Sequence, residues 1–193
     1  MIVWTRMVAL AFPICLLWFL SEIALGRILH SANDRSTSRD KSSLWLLWMT
    51  IIPSLTVGIF LGLNGIGFIT TESLAISVAG LILILLGLII RWIAILTLRT
   101  YFTTDVSIQE GHRLVATGIY GIIRHPAYLG SLLSFLGLGL TFSNWLSALV
   151  IIGPIFLAFR YRIMVEEQVL VDHFGAAYDQ YRRTTKRLVP KIY

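Results

Sequence analysis

The sequence predicts an all-α, polytopic membrane protein with about five transmembrane helices, the last two forming a C-terminal helical hairpin. Three observations carry that prediction. Hydrophobic residues make up 56% of the 193, against 13% charged, and the mean hydropathy is +0.79, outside the balance of a water-soluble domain. Residues 42–71 and 125–159 contain no Asp, Glu, Lys or Arg, and about 20 apolar residues rising about 1.5 Å each suffice to cross a bilayer. The basic residues, finally, segregate by loop.

Helices are expected at 3–25, 43–63, 73–98, 127–141 and 145–163. The first runs past signal-peptide length with no A-x-A-like cleavage site after it, so it is read as a retained span. It carries the single cysteine, Cys15, which excludes an internal disulfide and a multi-cysteine metal cluster and is read as a small buried apolar residue. The connector GRILHSANDRSTSRDKSS is polar and serine-rich, the composition of a mobile link. In the second helix Gly58 and Gly62 stand in G-x-x-x-G spacing, which lets helix backbones approach closely and is assigned to packing within the molecule. GLNGIG, residues 62–67, has the wrong spacing for a nucleotide loop and follows no strand, so it is expected to be a flexible outer turn. Arg91 is an ionisable residue inside the third span. It either snorkels to the interface or belongs to a functional site. The last apolar window turns at TFSNW, leaving hairpin arms of about 15–17 residues, or roughly 25 Å, which span a thinned region or stay buried among the other helices.

The formal net charge of +6 is explained by topology. Loop 26–42 holds Arg27, Arg35, Arg39 and Lys41, whereas loop 64–72 holds no Lys or Arg. Arg99, Arg113 and Arg124 fall in the next loop, and Arg182, Arg183, Lys186, Arg187 and Lys191 in the tail. This positive-inside pattern puts the N-terminus outside and the C-terminus in the cytoplasm. It makes anionic membrane lipid a partner and excludes nucleic acid.

Side chains able to do chemistry concentrate in two stretches flanking the hairpin, and because both arms begin and end on one side, the stretches must converge. In the later one Arg162 and Glu166 share a helix face, a spacing that a plain i,i+4 ion pair also explains. Adjacent Glu166 and Glu167 suggest acid/base or metal work. The metal alternative fails on inventory: four histidines form no H-x-x-x-H or E-x-x-H pair and no cysteine partner is near. Phe174, Tyr178 and Tyr181 form an apolar stripe that packs the tail, and the basic run Arg182 to Arg187 serves as an interfacial anchor. In the earlier stretch Arg124, His125 and Pro126 open a hairpin arm. Proline suits a first helical turn, so a helix start with an interfacial arginine is the plain alternative to catalysis.

GHRLVATGIYGIIRHPAYLG, an apolar hairpin, and then RYRIMVEEQVLVDHFGAAYDQYRR together resemble the C-terminal half of the isoprenylcysteine carboxyl methyltransferase family, over residues 109–193. Residues 1–100 resemble it only in being apolar helices. The resemblance implies one membrane domain, 1–193, in which three N-terminal helices (1–100) precede a methyltransferase-like cofactor and substrate region (101–193) at the cytoplasmic face. It implies an enzyme that moves a methyl group from S-adenosylmethionine to the carboxylate of a prenylated cysteine or similar lipophilic acid. By position, His112, Leu114 and Val115 would hold the cofactor near its adenosine part and Tyr120 would line the pocket. His125, Pro126, Ala127, Tyr128 and Glu166 would continue the cofactor site, and Arg162 would contact the substrate. Two positions depart from the family's pattern: Asp105 stands for a glutamine, and Ala127 for a serine or similar small residue, which suggests contact through the backbone. A carboxylate of pKa about 4 is already ionised at neutral pH, so no general base is needed. Arg162 would orient it through paired hydrogen bonds, while Glu166 would hold a positive group of the cofactor or fix Arg162. FGAAYDQYRR and LVPKIY are also similar to the ends of NADPH-dependent membrane sterol reductases. An amine or phospholipid acceptor and a non-enzymatic scaffold are further alternatives.

Overall fold

The computed structural model describes residues 12–24, 38–71, 73–103, 108 and 111–190, with backbone alone for 38–41. Six α-helices fall in these residues: α1 Phe12–Ala24, α2 Ser38–Leu63, α3 Ser73–Leu98, α4 Pro126–Thr141, α5 Trp145–Phe174 and α6 Ala176–Thr184. Strand pairing among them is limited to two isolated bridges, Phe68 with Asn144 and Ile123 with Lys186. The spans Ser42–Leu63, Ser73–Tyr101 and Trp145–Phe174 are long and apolar enough to cross a membrane, while α1 and α4 are shorter apolar helices. Residues 3–11 and 25 of the expected first helix, most of the connector, Asp105 and Lys191 lie outside the described residues.

Two boundaries differ from expectation. Helix α2 begins at Ser38, inside the stretch read as connector, and α5 does not stop near residue 163 but runs to Phe174. The second hairpin arm is therefore 30 residues long against 16 for α4. Charges beginning at Arg160 end the apolar run, yet glutamates, leucine and valines sustain a helix beyond it.

Small residues set the packing. Helix α3 packs along α4, α2 along α5, and α4 against α5. On the α3–α4 seam a Cβ on Gly80 would come within 2.7 Å of the Gly137 carbonyl oxygen, and one on Gly87 within 2.4 Å of that of Gly130. The pairs 80/137 and 87/130 are thus two antiparallel contacts one heptad apart, where the absence of side chains lets backbones touch. Gly58 and Gly62 act similarly, against Ile151 and Phe142, and the Ser147 hydroxyl donates to the Gly58 carbonyl at 2.8 Å; the G-x-x-x-G pair works within the molecule, as expected. The outward faces of α2 and α3 remain apolar, with Trp45, Ile52, Phe60, Ile82, Ile89 and Leu96 exposed, which suits lipid contact.

The GLNGIG turn is held in place. Asn144 Nδ2 donates to the Ile66 carbonyl at 2.7 Å, and the Ile69 amide donates to the Ser143 carbonyl at 2.8 Å. The hairpin turn beneath it buries Thr141, Ser143, Asn144 and Ser147 completely. Asn144 caps α5, its side chain accepting from the Ser147 amide at 2.9 Å. Polar groups that looked like an outer loop therefore close this end of the bundle. The opposite end carries residues 98–103, 111–128 and 162–188.

Candidate functional site

Four pieces of chain meet at that end. After α3 a 3-10 turn, Arg99–Tyr101, leads out, and the Tyr101 ring stacks on His112 with centroids 4.8 Å apart and planes 8° from parallel. Phe174, at the end of α5, meets the other side of His112 edge-on at 5.5 Å. A second 3-10 turn, Gly118–Gly121, buries Tyr120, whose carbonyl accepts from the Tyr181 hydroxyl at 2.6 Å. The tail then runs beside the start of α4: the Arg124 amide donates to the Lys186 carbonyl at 2.8 Å and the His125 amide to that of Arg187 at 2.9 Å. The two stretches singled out in the sequence thus form one structure.

The tandem glutamates point to different partners, because successive helical residues are turned about 100° apart. Glu166 Oε2 accepts from the Tyr128 hydroxyl at 2.7 Å and lies 3.9 Å from His125 Nδ1. Glu167, with 9% of its side chain exposed, sits among cations. It accepts from Arg124 Nε at 2.9 Å, from Arg187 Nε and Nη2 at 2.9 and 2.7 Å, and faces His125 Nε2 at 3.3 Å. His125, 4% exposed, is therefore bracketed by both carboxylates while its ring stacks on Tyr128 at 5.6 Å. Arg162, 2% exposed, donates from Nη1 to the Ser43 hydroxyl of α2 at 2.9 Å, and the Tyr128 hydroxyl lies against both its guanidinium and Glu166.

A cavity of about 880 Å³ connects these groups to the membrane helices. His112, Leu114, Val115, Tyr120, His125, Ala127, Tyr128, Arg162 and Glu166 all line it; Pro126, the tenth residue singled out, does not. Pro126 is fully buried at the first position of α4. Ala127 presents its carbonyl to Arg91 Nη1 at 3.3 Å. Most of the rest of the wall is apolar, with Trp18, Leu47, Ile51, Leu55, Phe135 and Phe142 among it.

Arg91 does not snorkel. Its Nε and Nη2 reach the two carboxylate oxygens of Glu22 at 2.5 and 2.7 Å, and Nη1 donates to the Ser131 hydroxyl at 3.0 Å. Both Arg91 and Glu22 line the cavity. Glu22, Tyr101 and Ser43 went unnoticed in the sequence; Glu167 was named only as the neighbour of Glu166, and Arg187, read as part of an interfacial anchor, instead pairs with Glu167. A carboxylate inside the first apolar segment was the signal available for Glu22, and the EE dipeptide was the signal for Glu167.

The His112 imidazole has its pKa lowered, chiefly by burial and then by His173, with Glu166 opposing, so it is neutral at pH 7. Burial pushes the Tyr181 phenol up to about 12, keeping it a donor.

The model of the isoprenylcysteine carboxyl methyltransferase family matches residues 80–172. Protein-S-isoprenylcysteine O-methyltransferase A of Arabidopsis thaliana is 31% identical over 179 residues, 90% of this chain and 87% of its own length. The B form of that plant is 38% identical over 119 residues, 61% of this chain and 60% of its own. The likeness therefore extends N-terminal to residue 109, where the sequence motifs begin. A solved structure of the eukaryotic intramembrane Ras methyltransferase, isoprenylcysteine carboxyl methyltransferase, superposes with a TM-score of 0.58 at 27% identity, covering 79% of this chain and 52% of that one. The chain thus spans only part of the length of several proteins it matches. With the 87% coverage of the A form, and with the paired stretches enclosing one cavity, this integral membrane protein belongs to the isoprenylcysteine carboxyl methyltransferase family.

Proposed function

We propose that the protein transfers a methyl group from S-adenosylmethionine to the carboxylate of a prenylated cysteine or a similar lipophilic acid, at the cytoplasmic face of its membrane. The observation that carries this is one cavity, lined mostly by apolar residues along α1 and α2 and polar where His112, His125, Arg162 and Glu166 converge. Its volume lies near the top of the range of about 300–1,000 Å³ for small-molecule sites.

The residues present fit a nucleoside methyl donor. His112 Nδ1 is buried with no hydrogen-bond partner among the described residues, which is costly unless a ligand satisfies it. Tyr101 and Phe174 flank that ring, and Glu166 offers a carboxylate to a positively charged group. His112, Leu114, Val115, Tyr120, His125, Tyr128 and Glu166 would hold the cofactor, with Ala127 presenting backbone and Pro126 fixing the turn that presents it. The bound cofactor supplies a methyl group on a positively charged sulfur, open to attack by an anionic oxygen. The chain's task is placement. Arg162 can hold an ionised carboxylate by two parallel hydrogen bonds, and Ser43 steadies the guanidinium from α2. Burial of the site strips water from the carboxylate oxygen and raises its reactivity. No residue need remove a proton.

The basic loops support an N-terminus outside, a C-terminus in the cytoplasm and a site on the cytoplasmic side, reachable from lipid for the acceptor and from water for the donor. Five helices would enter the membrane, α4 as the short arm, within one domain whose residues 101–193 form the site. The test is to incubate purified protein in detergent with methyl-labelled S-adenosylmethionine and farnesylated N-acetylcysteine. Label released by mild base marks a carboxyl ester and supports the assignment. Base-stable label points to an amine or phospholipid acceptor. No transfer, with heat protection by NADPH but none by S-adenosylhomocysteine, overturns the assignment.

A further inference from the structure

Tyr178 was expected to be packing. It lies on α6, just past the turn that Gly175 makes at φ +52° between α5 and α6; its amide donates to the Gly175 carbonyl at 3.1 Å. Only 1% of the residue is exposed, and its ring meets Tyr181 edge-on at 5.8 Å. Its hydroxyl nevertheless has no hydrogen-bond partner among the described residues. The neighbouring Tyr181 hydroxyl, by contrast, is satisfied by the Tyr120 carbonyl. A tyrosine buried to this extent usually finds a partner for its O–H, and leaving it without one costs stability. Phenylalanine would fill the same space without that cost.

Tyr178 also lines the cavity, beside Phe174, Arg124 and Tyr181. His112 Nδ1 is a second orphaned atom on the same wall. Burial, and then the Glu167 and Glu166 carboxylates, push the Tyr178 phenol up, so at neutral pH it is a donor in want of an acceptor. We infer that the Tyr178 hydroxyl is a further cofactor-binding group, donating a hydrogen bond to an acceptor atom of the methyl donor. This rests on the cavity being the S-adenosylmethionine site. It assigns the tail helix α6 a direct share in binding as well as in packing.

The test is Tyr178→Phe in the full-length protein in detergent, with two readouts: the Kd of S-adenosylhomocysteine by calorimetry and the thermal midpoint without ligand. The expected result is a Kd raised about 2- to 13-fold, as for one neutral hydrogen bond, with a ligand-free midpoint unchanged or higher. Tyr181→Phe is the comparison, because it strands the Tyr120 carbonyl and should lower the ligand-free midpoint. A Tyr178→Phe protein whose Kd stays within about twofold of wild type, a change too small for a lost hydrogen bond, overturns the inference. So does a midpoint that falls as in Tyr181→Phe with affinity intact, since the hydroxyl would then serve the fold or hold a bound water only. Wild-type protein that fails to bind S-adenosylhomocysteine overturns the methyl-donor assignment itself. Binding by wild type with no response to Tyr178→Phe overturns this inference alone.

Discussion

Glu167 ties α5 to the start of α4 and to the tail, so its replacement should loosen all three. In Glu167→Ala the Arg124 guanidinium, 9% exposed, loses its carboxylate at 2.9 Å, and Arg187 loses both of its short bonds. Removing one partner of a buried ion pair costs about 3–5 kcal/mol. Two features hold the expected figure at the lower end. Arg187 is 31% exposed and rehydrates, so its share falls toward the ~0–1 kcal/mol of a surface pair. Arg124 also keeps its bonds to the Arg182 and Thr185 carbonyls. A loss of about 3 kcal/mol corresponds to a fall of roughly 6–12 °C in the midpoint of a chain this size. Glu167→Gln keeps a neutral acceptor and should lose about half as much. The assay is thermal unfolding in detergent with amide hydrogen exchange, where the Arg124 and His125 amides, bonded to the Lys186 and Arg187 carbonyls, should lose protection. A midpoint within about 2 °C of wild type, less than 1 kcal/mol, together with unchanged exchange at those amides, refutes the view that Glu167 fastens the tail.

Other outcomes follow from the same geometry. Gly87→Leu drives a side chain into the Gly130 carbonyl and Ser134, each 2.4 Å from where its Cβ would stand, and should cost upwards of about 1–3 kcal/mol; Gly153→Ala, with nothing within 4 Å, should not destabilise, and unfolding midpoints compare them. Because the folded pKa of His112 lies below 6.5, both states are neutral at that site above pH 6.5. Below it the unfolded chain takes up the proton first, so the site costs stability progressively as pH falls from 6.5 through the folded pKa, and His112→Phe should flatten that limb of a midpoint-against-pH curve. Arg162→Ala should damage use of the acceptor by roughly 100-fold or more in kcat/KM, as for a lost charged, desolvated contact, while leaving the Kd of S-adenosylhomocysteine near wild type; calorimetry and initial rates separate the two.

Much of this architecture was legible because it depends on local pattern. Charge-free windows mark α2 and the α4–α5 hairpin, Pro126 marks the start of α4, and TFSNW marks the turn between the two arms. Convergence of the two polar stretches followed from topology, since a hairpin returns the chain to the side it left. Features that depend on a partner distant in sequence were hidden. Gly80 and Gly87 look like ordinary small residues until Gly137 and Gly130 stand opposite them, and the choice for Arg91 between snorkelling and a site stayed open because its partner Glu22 lies 69 residues away. The α5 boundary was missed because an apolar run was taken to end where its helix ends. Charged residues stop a membrane crossing, but they do not stop a helix. Glu166 and Glu167 are indistinguishable by composition, and only the neighbours of each face separate them.

The Arg91–Glu22 pair is the polar feature whose chemistry bears most directly on the acceptor. It stands on the cavity wall, at α4 residues Ala127 and Ser131, one helical turn from where Tyr128 meets Glu166. Glu22 occupies Arg91 through both carboxylate oxygens and also accepts from Trp18 Nε1 at 3.1 Å, so the pair adds no net charge to the wall. On the proposed function, a lipid chain would meet a neutral seam there, and Arg162 would be left to hold the acid. In Glu22→Ala that balance is lost, and Arg91 becomes a second guanidinium able to hold a carboxylate in the same cavity, away from the methyl group. Non-productive binding lowers KM and kcat together, which a merely destabilised enzyme does not show. Initial rates over a range of farnesylated N-acetylcysteine should give that joint fall, and Glu22→Ala combined with Arg91→Met should restore KM toward wild type. If Glu22→Ala instead lowers kcat with KM unchanged, and the double variant recovers nothing, the pair is a structural tie between α1 and α3 without influence on where the acid binds.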